Sequence, residues 1–180
     1  MHKDIPNENI KLSLQKVASL LRDGNISYWL GRGVLKDLLI NREIKLSHGD
    51  LDLHILAEDK DALRKYLIPI LEKEGYSVEN AEHKLALRKP YRDPEFYVEF
   101  PYIFQDEENP DFVYHIANGR RERCKKDCFV DTKEESIEIG GKKIRIPNHP
   151  ELYLEGVYGE NWKNEHLVEK VNFFRKFGFR

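Results

Sequence analysis

Two aspartates, Asp50 and Asp52, stand two residues apart in a segment where polar and apolar residues alternate. Leu51, Leu53 and Ile55 are the apolar members, and this period of two is typical of a β-strand. Both carboxylates therefore project from one face, roughly 6–7 Å apart. They would repel each other at that spacing, and a shared Mg²⁺ would offset the repulsion while leaving positions for water and phosphate. The pair indicates a metal site, although an exposed polar strand face has the same pattern.

A glycine turn precedes this strand. Gly31-Arg32-Gly33 follows the apolar residues 28–30 and ends 17 residues before Asp50. Glycine lets a backbone approach a phosphate closely, and an arginine in the turn is a candidate phosphate contact. His48, in the loop before Asp50, is a candidate for orienting that aspartate or the donor, although loop histidines are more often merely exposed.

Further charged residues fall on predicted strands. Glu99 lies opposite the apolar face of residues 95–104, and we predict a third metal ligand or a base that accepts a proton from a hydroxyl. An ordinary exposed strand residue is the alternative. Lys84 and Arg88 share one face of another strand and are candidate phosphate contacts, with solvated surface charge as the alternative.

The overall charge excludes some classes of function. The 180 residues carry 30 basic and 32 acidic side chains, interleaved to a net charge of −2, which argues against general nucleic-acid binding. The basic cluster 120–126 is a candidate for binding an anionic acceptor, but it contains Glu122, and we predict a solvated loop there. No apolar run is long enough to span a membrane, and residues 1–10 lack a signal-peptide core, so we expect a cytoplasmic protein.

The periodicities predict a single α+β domain over residues 1–180. Its core, about 9–146, is expected to be a mixed or antiparallel sheet flanked by helices, and 147–180 a helical C-terminal part. The predicted helices cover 9–23, 34–41 and 59–74, with further ones starting at Pro150 and around 167–174. The predicted strands cover 27–30, 50–56, 83–89, 95–104 and 112–117, with a hairpin over 137–146.

Residues 28–39 (YWLGRGVLKDLL) followed by 48–53 (HGDLDL) resemble the opening signature of the nucleotidyltransferase superfamily. This resemblance implies a nucleotidyltransferase-type fold that binds Mg²⁺ or Mn²⁺ through Asp50, Asp52 and Glu99. Arg32 departs from the signature, because a second glycine or a small residue is usual there.

Residues 146–162 (IPNHPELYLEGVYGENW) resemble the tail of the LicD/fukutin-like branch. That branch implies transfer of a phosphate-linked group from a nucleotide-activated donor of the CDP-alcohol type to a hydroxyl of a glycan or small molecule. The resemblance makes Tyr158 and Trp162 candidate acceptor-binding residues, although aromatic residues four apart also commonly pack a helix on the core.

Residues 46–52 (LSHGDLD) are similar to the Arg-x-His-x-Asp-x-Asp strand of aminoglycoside and lincosamide nucleotidyltransferases. This second branch implies transfer of a nucleoside monophosphate from a nucleoside triphosphate to a small-molecule hydroxyl. We favour the LicD-like branch here because its tail match is longer. A non-catalytic binding module of the same fold is a further alternative, against which the presence of both Asp50 and Asp52 weighs.

Overall fold

A computed structural model of the chain describes residues 7–44, 50–88, 97–130 and 134–164. The helices in this part of the chain are α1 Asn7–Asp23, α2 Arg32–Asn41, α3 Lys60–Lys73 and α4 Pro150–Tyr158. The strands are β1 Tyr28–Leu30, β2 Asp50–Leu56, β3 Ser77–Asn80, β4 Lys84–Arg88, β5 Tyr97–Gln105, β6 Phe112–Ala117, β7 Arg120–Lys125, β8 Glu135–Ile139 and β9 Lys142–Ile146. Short 3₁₀ turns lie at Ala57–Asp59 and Lys126–Cys128. The predicted α+β class is confirmed.

Among the described residues, seven strands form one mixed sheet in the order β1-β2-β5-β4-β3, with β6 paired to β5 and β7 to β6. Strands β2 and β5 are parallel, whereas the other pairs in this sheet are antiparallel. The parallel register sets Asp52 opposite Glu99, and β4 then sets Ala86 opposite Glu99. The sheet thus brings an acid from β5 beside the two aspartates of β2.

Both faces of β2 are covered. Leu51, Leu53 and Ile55 are completely buried on one face, in the same hydrophobic cluster as the apolar residues of α1 and α3. On the opposite face Asp52 is 5% exposed and His54 is fully buried, whereas Asp50 at the strand's start is exposed. The exposed-face interpretation of this strand is therefore wrong for Asp52, and its carboxylate lies in a polar site within the protein.

The predicted hairpin is confirmed as β8 and β9. Gly140 and Gly141 join the two strands, with φ angles of 55° and 77°. Positive φ at both central residues belongs to the primed turns whose twist matches that of paired strands, and glycine adopts it without steric cost.

The prediction of a solvated loop over residues 120–126 is wrong, because residues 120–125 form β7 and pair with β6 along its whole length. Local charge density suggested a loop, but pairing to a neighbouring strand overrides that preference. Alternation turns Glu122 and Cys124 away from solvent and leaves Arg121 and Arg123 exposed. Strand β3 was also not predicted. The helix predicted around 167–174 and the loop residue His48 lie outside the described residues.

No helix in the described part of the chain is long and apolar enough to cross a membrane.

Candidate active site

Three carboxylates from two parallel strands meet on one face of the sheet. Asp50 and Asp52 come from β2, and Glu99 comes from the opposing position on β5. Lys84 of β4 reaches the same face, where its Nζ lies 2.7 Å from Glu99 Oε1. Arg88 pairs in register with Tyr97, which in turn pairs with Asp50. The sheet therefore places both predicted basic residues of β4 on the same face as the acids.

The charges at this site act on one another at short range. Burial raises the pKa of Asp52 well above its usual value, and the neighbouring charges of Asp50 and Glu99 raise it further. Arg32 and Lys84 act in the opposite direction but do not cancel the effect. A buried carboxylate beside two others favours either a proton or an additional cation.

The donor chemistry of this site suits a hard divalent cation, because all three candidate ligands are carboxylates. Asp50 and Asp52 are adjacent on one strand face and are the pair that would hold such an ion. Within residues 7–44, 50–88, 97–130 and 134–164, however, no group of three or more His, Cys, Asp or Glu side chains is already arranged around a metal position. Glu99 has Lys84 as its ion-pair partner instead.

Helix α2 starts beside these acids. Gly31 caps the helix and its N–H donates to the Asp52 carbonyl at 3.0 Å, which attaches the turn to β2. A Cβ on Gly31 would come within 2.5 Å of the His54 ring and 2.7 Å of Tyr153 Oη. Its φ of −131° suits any residue, so glycine is needed for this close approach and not for the turn. Gly33 lies in the first turn of α2.

Arg32 occupies the left-handed position of the turn, with a φ of 53°. Its backbone N–H donates to Tyr153 Oη at 3.2 Å, and its Nη1 donates to Glu122 Oε2 at 2.9 Å. Its Nε lies 3.9 Å from Asp52 Oδ2. The same Glu122 oxygen is 3.1 Å from His115 Nε2. Arg32 thus connects the glycine turn, the Asp52 carboxylate of β2 and the β6–β7 hairpin.

Beneath the turn lies a buried polar cluster. His54 Nε2 is 2.6 Å from Tyr153 Oη, and the His54 and His115 rings are 4.7 Å apart. Burial, with contributions from His115 and Arg32, lowers the pKa of His54 well below its usual value, so this ring is neutral at pH 7. Burial likewise raises the pKa of Tyr153, so its hydroxyl stays protonated. His54 and Tyr153 are therefore both uncharged where they support the turn.

Four residues of this site, His54, His115, Glu122 and Tyr153, are not among those predicted from the sequence. His54 continues the alternation of Asp50 and Asp52, and Tyr153 lies in the quoted tail, so both had a signal that we did not use. Glu122 lay in the segment predicted to be a loop, and nothing local connected it to Arg32.

The two aromatic candidates differ in environment. Burial raises the pKa of Tyr158, the charge of Arg32 lowers it, and the charges of Asp52, Glu122 and Asp50 raise it, so this residue lies within electrostatic range of the site. Trp162 is only 4% exposed and packs in the hydrophobic core, which favours the packing alternative over acceptor stacking.

A mixed sheet with paired aspartates on one strand, beside a glycine turn that opens a helix, is the architecture of the nucleotidyltransferase-type fold. The solution structure of the antibiotic-resistance factor ANT(2'')-Ia matches with a TM-score of 0.54 at 15% identity, over 96% of this chain and 95% of that one. The crystal structure of ANT(2'')-Ia in complex with adenylyl-2''-tobramycin matches with a TM-score of 0.52 at 16% identity, over 93% and 86%.

An antigenic nucleotidyltransferase-like protein from Paracoccidioides brasiliensis also matches, with a TM-score of 0.52 at 13% identity over 97% of this chain and 91% of that one. No protein-family model matches the chain, and no curated protein matches it by sequence. At these identities the similarity establishes the fold.

Proposed function

We propose that this protein is a metal-dependent nucleotidyltransferase that moves a nucleoside monophosphate from a nucleoside triphosphate to a hydroxyl of a small molecule. The observation that carries the proposal is the grouping of Asp50 and Asp52 on β2 with Glu99 opposite Asp52, beside the glycine turn. The likeness to ANT(2'')-Ia with an adenylylated tobramycin favours this reaction over transfer from a CDP-alcohol.

In this proposal Asp50 and Asp52 hold Mg²⁺ or Mn²⁺, with Glu99 as a third ligand or as the base. The bound ion would neutralise phosphate charge, which is the main demand of phosphoryl-type transfer. In the base role, Glu99 accepts the proton of the acceptor hydroxyl. The hydroxyl oxygen then bonds to the α-phosphorus, and the bond between the α-phosphorus and the leaving pyrophosphate breaks. The ion pair with Lys84 holds the Glu99 side chain on this face of the sheet.

The phosphates are proposed to lie at the start of α2. The first backbone N–H groups of a helix have no intrahelical acceptor and favour anions. Gly31 and Arg32 form this helix start but already donate their backbone N–H groups to Asp52 and Tyr153, so the proposed backbone contacts begin at Gly33. The guanidinium of Arg32 is a further proposed phosphate contact, and Lys84 and Arg88 supply positive charge from β4. We also keep His48 as a proposed contact, together with Tyr158 on the acceptor side, whereas Trp162 is proposed to support this side by packing in the core.

Substitution of Asp52 tests the proposal. Because Asp52 is proposed to bind the ion that neutralises the phosphates, Asp52→Ala should reduce Mg²⁺-dependent transfer by about 100-fold or more. The measurement is pyrophosphate release with ATP and tobramycin as the first substrate pair, followed by other nucleoside triphosphates and hydroxyl-bearing acceptors. Glu138→Gln, an exposed carboxylate on β8, is the matched control and should keep full activity. Unchanged transfer by the Asp52 variant would refute the site assignment.

The CDP-alcohol reaction is the second candidate, supported by one observation. Tyr153, inside the tail that resembles the LicD-like branch, contacts both Arg32 and His54 at the glycine turn. Calorimetry with Mg²⁺ and either ATP or CDP-choline separates the candidates. Preference for CDP-choline would select the LicD-like reaction, and no metal-dependent binding of any nucleotide would favour the non-catalytic binding module.

A further inference from the structure

Arg32 is an unexpected residue in a left-handed turn position. A non-glycine residue at a φ of 53° is conformationally costly, and such strain persists only where surrounding contacts hold it. Here the contacts come from Tyr153 to the backbone N–H and from Glu122 to the guanidinium. The turn therefore keeps an arginine although glycine would adopt the same backbone angle with less strain.

The position of the guanidinium gives it an electrostatic role. Arg32 Nε faces Asp52 Oδ2 at 3.9 Å, and the two side chains are only 19% and 8% exposed. Glu122, 20% exposed, fixes the other side of the guanidinium, and His115 contacts the same Glu122 oxygen. A charge held in such a partly buried site is weakly screened, so a cation approaching Asp52 would be repelled by Arg32.

We propose that Arg32 makes divalent-metal binding at Asp52 dependent on bound nucleotide. This inference rests on the proposed function. Without nucleotide, the guanidinium acts as the counter-cation of Asp52 and weakens metal binding. The polyphosphate of a nucleoside triphosphate brings negative charge that offsets the guanidinium, and the metal then binds tightly. Metal and nucleotide thus bind cooperatively, and each raises the affinity for the other by the same factor.

A purely structural role for Arg32 predicts something different. Glu122 and Tyr153 alone would account for a structural connection between α2, β7 and α4, and the metal affinity would then not respond to the charge at position 32. The distinguishing measurement is therefore Mn²⁺ affinity with and without nucleotide, and not transfer activity.

The experiment is calorimetric titration of the full chain with Mn²⁺, with and without a non-hydrolysable ATP analogue, at constant ionic strength. We expect Mn²⁺ alone to bind Arg32→Gly at least about tenfold more tightly than the wild type, because a nearby positive charge has been removed. In the wild type, the ATP analogue should raise Mn²⁺ affinity by a similar factor, and in Arg32→Gly this gain should shrink. Arg32→Lys, which keeps the charge, should retain the nucleotide dependence.

Arg121→Gln is the matched control, because it removes one positive charge from the outer face of the β6–β7 hairpin, where Arg121 lies over the Tyr114 ring. Its Mn²⁺ affinity should equal that of the wild type. If Arg32→Gly fails to fold because Glu122 loses its partner, the double variant Arg32→Gly with Glu122→Gln is compared with Glu122→Gln alone. The double variant should again bind Mn²⁺ more tightly.

Two results would overturn the inference in distinguishable ways. Equal Mn²⁺ affinity of the wild type and Arg32→Gly in the absence of nucleotide would refute the role of Arg32 while leaving the proposed metal site intact. Failure of the wild type and all variants to bind Mn²⁺, even with the ATP analogue, would refute both this inference and the proposed function.

Discussion

The ion-pair partners of Arg32 show how one side chain can join distant parts of the chain. Glu122 is 90 residues away in sequence, yet its Oε2 accepts from the guanidinium at 2.9 Å and lies 3.1 Å from His115. Burial by itself raises the pKa of Glu122, but the hydrogen bond from His115 and the charge of Arg32 outweigh it, and the pKa is lowered overall. The ionised carboxylate is therefore part of the folded arrangement.

Replacing Glu122 with glutamine should destabilise the fold in a pH-dependent way. A pKa that is lower in the folded than in the unfolded state contributes stability above the usual glutamate value of 4.5, and that stability is lost as the pH falls through the lowered value. We expect Glu122→Gln to cost about 1–2 kcal/mol at pH 7 and to approach wild-type stability near pH 3. Urea unfolding at both pH values measures this, with the exposed Glu155→Gln on α4 as the control. A loss of equal size at both pH values would contradict the ion-pair explanation.

At the scale of elements, the site depends on how α2 is attached to β2. The Gly31 N–H bonds the Asp52 carbonyl, and the missing Cβ leaves room for the His54 ring and the Tyr153 hydroxyl. The start of the helix is therefore held against the buried polar cluster rather than against solvent. This contact fixes where the helix N-terminus lies relative to the carboxylates.

Adding a methyl group at Gly31 should test this attachment. A Cβ 2.5 Å from His54 must displace a fully buried ring, so Gly31→Ala should destabilise the protein by about 2–3 kcal/mol. Gly24→Ala is the comparison, because its Cβ would meet Tyr66, which is 37% exposed and can rotate away. Equal losses of unfolding free energy in the two variants would show that close packing under the turn is not the cause.

At the scale of the whole molecule, the β6–β7 hairpin and α4 cover the face of β2 that carries Asp52 and His54, where His115 and Tyr153 contact the His54 ring. Cys124 on β7 and Cys128 in the following 3₁₀ turn are free thiols and both are buried. Burial raises the pKa of Cys128 to about 11, and burial raises that of Cys124 as well. Gly156 of α4 packs closely here, because an added Cβ would come within 3.3 Å of the Arg123 carbonyl.

The two thiols should report on opening of this layer. Because the thiolate is the reactive form, we expect both cysteines to react slowly with Ellman's reagent at pH 8 in the folded protein and rapidly in denaturing urea. Reaction rates followed by absorbance measure this, and Cys124→Ser and Cys128→Ser assign each phase. Rapid reaction of either thiol in the native protein would mean that the layer opens readily.

Features encoded within a few residues could be predicted from the sequence. The alternation around Asp50 and Asp52 identified β2 and its paired carboxylates, and the two glycines identified the β8–β9 hairpin, because strand period and turn geometry are local properties. The strand carrying Glu99 was predicted for the same reason. The expectation of a nucleotidyltransferase-type fold came from the resemblance of residues 28–39 and 48–53 to the signature of that superfamily.

Only the tertiary structure decided which residues meet. Parallel pairing of β2 with β5 sets Glu99 opposite Asp52, and the β6–β7 hairpin brings Glu122 to Arg32; neither contact follows from spacing along the chain. The prediction for residues 120–126 failed because local charge suggested solvent, while strand pairing with β6 turned Glu122 inward. Likewise, period-two alternation assigns His54 to a face but does not say whether another layer covers that face. Local patterns determined most of the elements and the candidate carboxylates, and long-range packing determined their partners and burial.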